Sequence, residues 1–286
     1  MKIGIRLHDT AGTGLEDRLD FARQQGFACA HLAMQKAIAG FRMDDAPALL
    51  TDELAARVRE AFVSRDMTCA VLGCYLNLAT PDEEAYRRTL EIYFAHLRFA
   101  RWMGALTVGT ETGAPNTGYK TEPACWTDEA LRLFIRRAEP VVRRAEEEGV
   151  TFAIEPVCRH IVHTPERAER VLDALRSDSL QIILDTVNLL TPENHTRCAA
   201  ILDECERRFG DRVRVMHLKD YTAVPGERDL KACACGTGEM DYARLLRFAV
   251  SRPGIPMTLE NTKPDNAESA RLFLEAKARE ISAAPD

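Results

Sequence analysis

The sequence predicts a single (β/α)8 TIM barrel of the α/β class, on three observations. Short apolar runs alternate with long amphipathic stretches from end to end. The alternation resolves into eight strand-plus-helix units with no linker or composition break, which argues for one parallel sheet. The length, 286 residues, suits one closed barrel, which takes about 250 residues, so residues 1–286 are read as one domain.

The units follow in order. Lys2–Leu7 is the first strand, and Leu15–Gln25 is the first helix, stopped by Gly26. Ala28–Met34 and Asp52–Arg65 form the second pair, and Thr68–Tyr75 is the third strand. The third helix opens at Thr80-Pro81-Asp82-Glu83, with Thr80 as cap, Pro81 in the first turn and Glu83 completing a capping box. It ends at Met103 before Gly104. Leu106–Glu111 is the fourth strand, and the long polar segment Thr112–Trp126 is a candidate lid. Asp128–Glu148 is the fourth helix, Thr151–Val157 the fifth strand, and Pro165–Arg176, capped by Thr164, the fifth helix. Leu180–Val187, Pro192–Phe209 (capped by Thr191), Arg212–Lys219, Met240–Val250, Ile255–Asn261 and Asn266–Ile281 complete the alternation. An open doubly wound sheet would carry a glycine-rich phosphate loop after its first strand. Gly12-Thr13-Gly14 lacks the third glycine and the acidic partner.

The bulk numbers exclude several classes. A hydrophobic fraction of 46% and a charged fraction of 29% are those of a soluble globular protein. A net charge of −6 disfavours a nucleic-acid partner. No run of about 18 apolar residues is present to span a membrane, and Met1-Lys2-Ile3-Gly4-Ile5 does not read as a signal peptide. The nine cysteines, an odd number, read as free thiols in a reducing cytoplasm. Cys233-Ala234-Cys235 is read as loop rather than as half of a soft-metal site.

The chemistry gathers at strand ends, where barrel enzymes build active sites. Strands five to eight end as Ala-Ile-Glu155, Ile-Leu-Asp185, Val-Met-His217 and Thr-Leu-Glu260. A carboxylate closing an apolar run is costly to bury unless it is paired or binds a metal. Three carboxylates converging on one barrel face would repel one another, and a divalent cation is the simplest remedy. One imidazole with carboxylate oxygens suits Mn2+ first, with Co2+, Mg2+ or Zn2+ as alternatives.

The set Ala-Ile-Glu155-Pro, Thr164-Pro-Glu, Ile-Leu-Asp185, Met-His217-Leu-Lys-Asp220, Gly236-Thr-Gly238-Glu-Met-Asp241-Tyr and Leu-Glu260-Asn resembles the xylose isomerase-like barrel superfamily. Within it, the set is most similar to the sugar phosphate isomerase/epimerase group, which includes the ketose 3-epimerases. The resemblance implies one metal ion held by Glu155, Asp185, His217 and Glu260, with Glu155 and Glu260 doubling as the proton-transfer pair. It implies epimerisation or aldose–ketose isomerisation of a small sugar through a metal-stabilised enediolate. The chain departs from the ketose 3-epimerases in the residues that touch substrate. Asn188 stands where a histidine is common, Ile161 where a second glutamate stands, and Ala223 where an arginine stands.

Other residues are expected around this centre. Lys219, two residues beyond His217, points the same way on a strand and is a candidate substrate contact. His8, Glu111, Arg159, His160 and Asn188 are further candidates, and Asp220 is expected to orient Lys219 or His217. His31 reads equally as a pocket or a core histidine, Tyr75 and Trp126 as packing or sugar-stacking rings, and His96 and His195 as surface residues on helices. A homo-oligomer is an open expectation. The rival readings are a metal-dependent lyase or deglycosidase acting on a keto sugar or glycoside, an abasic-site nuclease, and a barrel kept only for binding. The nuclease would need more histidine ligands and a basic face, and the binding barrel would not need an intact ligand set.

Overall fold

The computed structural model describes residues 1–283. Eight parallel strands close a barrel: β1 (Lys2–Arg6), β2 (Cys29–Leu32), β3 (Thr68–Gly73), β4 (Val108–Glu111), β5 (Phe152–Glu155), β6 (Leu180–Asp185), β7 (Val213–Leu218) and β10 (Pro256–Leu259). They pair in chain order, and β10 closes on β1 through Lys2↔Pro256 to Ile5↔Leu259. Eight helices lie in the connections: α1 (Leu15–Gln24), α4 (Asp52–Val63), α5 (Glu83–Met103), α6 (Asp128–Glu148), α7 (Pro165–Leu175), α8 (Cys198–Phe209), α9 (Tyr242–Ser251) and α10 (Ala267–Ala283). One-turn helices α2 (Met34–Ala37) and α3 (Ala46–Leu49) lie between β2 and α4.

The large core fills the space between sheet and helices. A second, smaller cluster of Val71, Ala153, Ile183 and Val215 fills the inside of the barrel, one residue each from β3, β5, β6 and β7. Little room remains there. A Cβ on Gly109 of β4 would sit 2.7 Å from both Ile183 and Val71, so only glycine fits. Side chains two residues apart on a strand share a face. The inward positions at 109, 153, 183 and 215 therefore aim Glu111, Glu155, Asp185 and His217 into the next layer, at the C-terminal mouth.

Several boundaries differ from the sequence reading. Asp82, not Thr80, caps α5, its carboxylate accepting from the amides of Glu84 and Ala85. The helix expected from Pro192 begins at Cys198, because residues 192–197 make turns before it. Thr164 caps α7 as expected, accepting from the Arg167 amide.

An antiparallel hairpin, β8 (Asp220–Thr222) with β9 (Lys231–Cys233), rises beyond β7 and was not foreseen. Its base is gathered by one side chain. The Asp220 carboxylate accepts from the amides of Tyr221 and Met240 (both 2.8 Å) and of Gly236 and Gly238 (both 3.0 Å). Gly238 approaches so closely that a Cβ would lie 2.5 Å from Asp220 Oδ1. Asp220 therefore anchors its own hairpin and orients neither Lys219 nor His217.

His96, expected at the surface, is fully buried in α5. Its Nδ1–H donates to the Ile92 carbonyl (2.8 Å), and burial outweighs that bond to push its pKa down to about 4. Between the ordinary value and 4 the unfolded chain takes a proton that the folded chain refuses. Stability is therefore whole above about pH 6.5 and falls as the pH drops toward 4. We expect His96→Met to flatten this acid limb by up to about 3 kcal/mol. Urea midpoints at pH 7.5, 5.5 and 4.5 check it, and parallel pH profiles for the two proteins would refute it.

Candidate metal centre

β5 and β6 end on Glu155 and Asp185, His217 is the last residue but one of β7, Glu260 directly follows β10, and the barrel brings the four together. Glu155, Asp185, His217 and Glu260 are all buried. β-pairing sets Asp185 beside His217 and Glu111 beside Glu155. His217 Nδ1 lies between two carboxylates, 3.3 Å from Glu155 Oε2 and 3.4 Å from Glu260 Oε1. Glu155, Asp185 and His217 offer ligand atoms within 4.8 Å of one another, and so do His31, His217 and Glu260. The two triads share His217.

The residues fit a divalent cation. Neither nitrogen of His217 has an aligned hydrogen-bond partner, and Asp185 Oδ2 has an ion-pair partner in Lys219 but no aligned hydrogen bond. Buried polar atoms are rarely left so, and an ion among them would use these lone pairs. Without one, nearby cations balance the carboxylates. Lys219 Nζ lies 2.8 Å from Asp185 Oδ2 and 3.4 Å from Glu260 Oε2, and Arg6 lies 3.4 Å from Glu260 Oε2. Burial alone would raise the Glu260 carboxyl, but His217, Lys219 and Arg6 hold it well below the usual range. Burial wins at Asp185, which is pushed up to about 6 against the pull of Lys219. At His217, burial is outweighed by Glu260 and Glu155, which raise the ring to about 9.

A cavity of about 400 Å3 opens above the centre. Among its lining residues are the predicted His8, Glu111, Arg159, Asn188 and Lys219. Asn188 donates through Nδ2 to Glu155 Oε1 (2.6 Å) and accepts from Lys219 Nζ (2.8 Å). The three side chains form one line, which fixes the amide's orientation. His160 is the exception among the predicted contacts. It lies behind Glu111, its ring stacked on Tyr119 at 5.2 Å and its Nδ1 3.5 Å from Glu111 Oε2. Tyr119 OH also donates to that oxygen, at 3.3 Å. His160 thus backs Glu111 and lines a neighbouring cleft rather than the main cavity.

Three residues at the centre were missed or left open by the sequence. His31 stacks on His217 at 5.2 Å and carries two orphaned buried nitrogens. Tyr75 lines the cavity with a buried, unpartnered hydroxyl. Arg6 ends β1 and is held by Asp9 against Glu260. His31 follows a register shift between Ala30 and His31, and such bulges re-aim a side chain in a way that simple alternation does not reveal. Arg6 had the same signal as the ligands, a charged residue closing an apolar strand.

Fold and site together define a (β/α)8 barrel with a cluster of acidic and histidine side chains at the catalytic face of the architecture. The chain belongs to the xylose isomerase-like TIM barrel family, whose model matches residues 19–277. No curated protein matches it in sequence. Among solved structures it is similar to a D-tagatose 3-epimerase-like protein, with a TM-score of 0.76 at 15% identity, covering 99% of this chain and 98% of that one. It is similar also to 3-keto-D-glucoside 4-epimerase from E. coli, with a TM-score of 0.73 at 15% identity, covering 96% and 99% of the two chains. A third is the IOLI protein, solved with a bound zinc atom, with a TM-score of 0.71 at 16% identity and coverage of 99% and 96%. At these identities the likeness is one of fold. Among the described residues, no helix is long and apolar enough to cross a membrane.

An ion that binds only the folded chain stabilises it by mass action. We expect Mn2+ at a hundred times its Kd to add about 2.7 kcal/mol to the chelator-stripped protein, seen as a rise of a few degrees in Tm. The rise should vanish in His217→Gln. Equal melting with and without metal would remove the ion from this site.

Proposed function

We propose that this protein is a divalent-metal-dependent sugar isomerase or epimerase of the cytoplasm. In this reading Glu155, Asp185, His217 and Glu260 hold the ion, with Mn2+ the first choice, and Glu155 and Glu260 move the proton. The observation that carries the reading is the buried His217 ring, wedged between Glu155 and Glu260 with neither nitrogen aligned to a partner. Two of the structural neighbours are described as an epimerase or epimerase-like, and one holds zinc.

When bound, the ion supplies a Lewis acid that polarises a carbonyl and its neighbouring hydroxyl. The remaining work falls to the chain. Glu260, set 3.4 Å from each of His217, Lys219 and Arg6, takes the proton from the carbon next to the carbonyl in this reading. Glu155 is held in one orientation by the amide of Asn188, which favours proton transfer along a fixed line. Return of the proton from the opposite side inverts a carbon, and return at the adjacent carbon interconverts aldose and ketose. Lys219 and Glu111 line the cavity as hydrogen-bonding partners for sugar hydroxyls. Burial raises the Glu111 carboxyl, which suits it to share a proton with a hydroxyl.

Glu155→Gln and Glu260→Gln, made separately and checked for bound metal, should each lose about 10²–10⁴-fold in turnover. The assay is a screen of free and phosphorylated ketoses with Mn2+, Co2+ and Mg2+. A metal-loaded variant with full activity would release that glutamate from proton transfer. Release of an alcohol or appearance of an enone, in place of an epimer, would move the chemistry to elimination on the same residues.

A further inference from the structure

Beside the cavity above the metal centre lies a small space of about 60 Å3, which shares Arg159, Asn188, Lys219 and Ala232 with it. The same small space shares Cys158, Arg159, Leu190 and Asp229 with a second cleft of about 590 Å3, so the two larger spaces are neighbours. Both cavities fall within the size range of ligand sites, about 300–1,000 Å3. Arg159 lines all three spaces, and its guanidinium reaches across to Asp229 of the hairpin loop at 3.4 Å. Both side chains are more than half exposed. An ion pair of that kind contributes little to stability and opens easily.

The outer cleft has the composition of a carbohydrate subsite. Its one aromatic is Trp126, which is 46% exposed. The ring is nevertheless held in place. Its Nε1–H donates to the Cys158 carbonyl (3.2 Å), and its edge packs on His163 at 6.2 Å. The backbone carbonyls of Trp126 and Thr127 both accept from the Arg167 guanidinium. A fixed, exposed indole is a ready stacking face for an amphipathic ring. Around it stand Thr121, Thr191, Glu193, Arg228 and Asp229. Hydroxyls with charges of both signs suit a neutral polyhydroxylated ring. Two carboxylates, Glu193 and Asp229, are matched by two guanidiniums, Arg159 and Arg228, so the cleft carries no surplus of either charge to select an ionic group.

We propose that the substrate carries a second sugar ring, so that the outer cleft binds the glycosyl group of a glycosyl-ketose while its keto-sugar end enters the inner cavity. The linkage would lie beside Arg159, the side chain that lines both spaces. This extends the reading of the inner cavity as a sugar site and rests on it.

Calorimetric titration of the Mn2+-loaded protein tests the idea with four probes. One is D-fructose. The others are turanose, lactulose and isomaltulose, three glycosyl-fructoses that keep the keto group and differ in linkage. At least one linked sugar should bind tenfold or more tighter than fructose. Trp126→Ala should bring that ratio below twofold, and Trp126→Phe, which keeps a stacking face but loses the indole N–H, should retain most of it. Fructose binding as tightly as every linked sugar would overturn the proposal, as would an unchanged ratio in Trp126→Ala. Repeating the titrations after chelation separates the two readings. A disaccharide preference that survives metal removal, with fructose binding indifferent to the ion, would sink the inner site and leave the outer cleft standing.

Discussion

The structure is organised around one electrostatic problem, the mutual repulsion of buried carboxylates at one end of the barrel. Glu155, Asp185 and Glu260 are withdrawn from water, and Glu111 lies next to Glu155 in the sheet. Burying an ionised carboxylate costs several kcal/mol even after relaxation, and like charges at close range add to that. Evolution has little reason to tolerate such a cluster in a merely structural barrel. Every other feature of the site reads as a response to it. His217 stands between two of the acids, Lys219 spans two, and Arg6 leans on a third contact to Glu260.

That response is graded with depth. Below the acids, the barrel is filled by Val71, Ala153, Ile183 and Val215, packed tightly enough that only glycine fits at 109. This floor excludes water and gives the strand ends a rigid base. At the level of the acids, each side chain is fixed by sheet register. Above them, the walls are loops: Arg159 after β5, Asn188 after β6, and the hairpin after β7. The buried acids thus sit on rigid elements and the cavity walls on replaceable ones, the usual division in barrels.

The sequence made the closed barrel and the four strand-end side chains legible because both obey simple rules. Glu155, Asp185, His217 and Glu260 each close an apolar run, and four in succession imply convergence once eight units imply closure. The long helix α6 was readable to the residue, with Thr127 before it and Gly149 after it. What stayed hidden depends on local departures from those rules. His31 owes its place to a bulge. The hairpin could not be read because β8 and β9 are three residues each, too short for any alternation to stand out. His96 looked like a surface residue because polar side chains in helices usually are, whereas its intrahelical bond to Ile92 lets the ring sit in the core. Asp220 was assigned to its neighbours in sequence because nothing in a string of letters shows four amides folding back onto one carboxylate.

That carboxylate has an implication for how the protein changes over generations. Because Asp220 gathers the amides of residues 221, 236, 238 and 240, the chain on either side of the hairpin is pinned at its root by one side chain. Within the tip, the Ala223 amide donates to the Glu239 carboxylate and Leu230 packs against the core, while Asp229 is delivered beside Arg159. A lineage could vary the positions between these fixed points and reshape the rim beside Arg159 while the barrel packing below stays as it is.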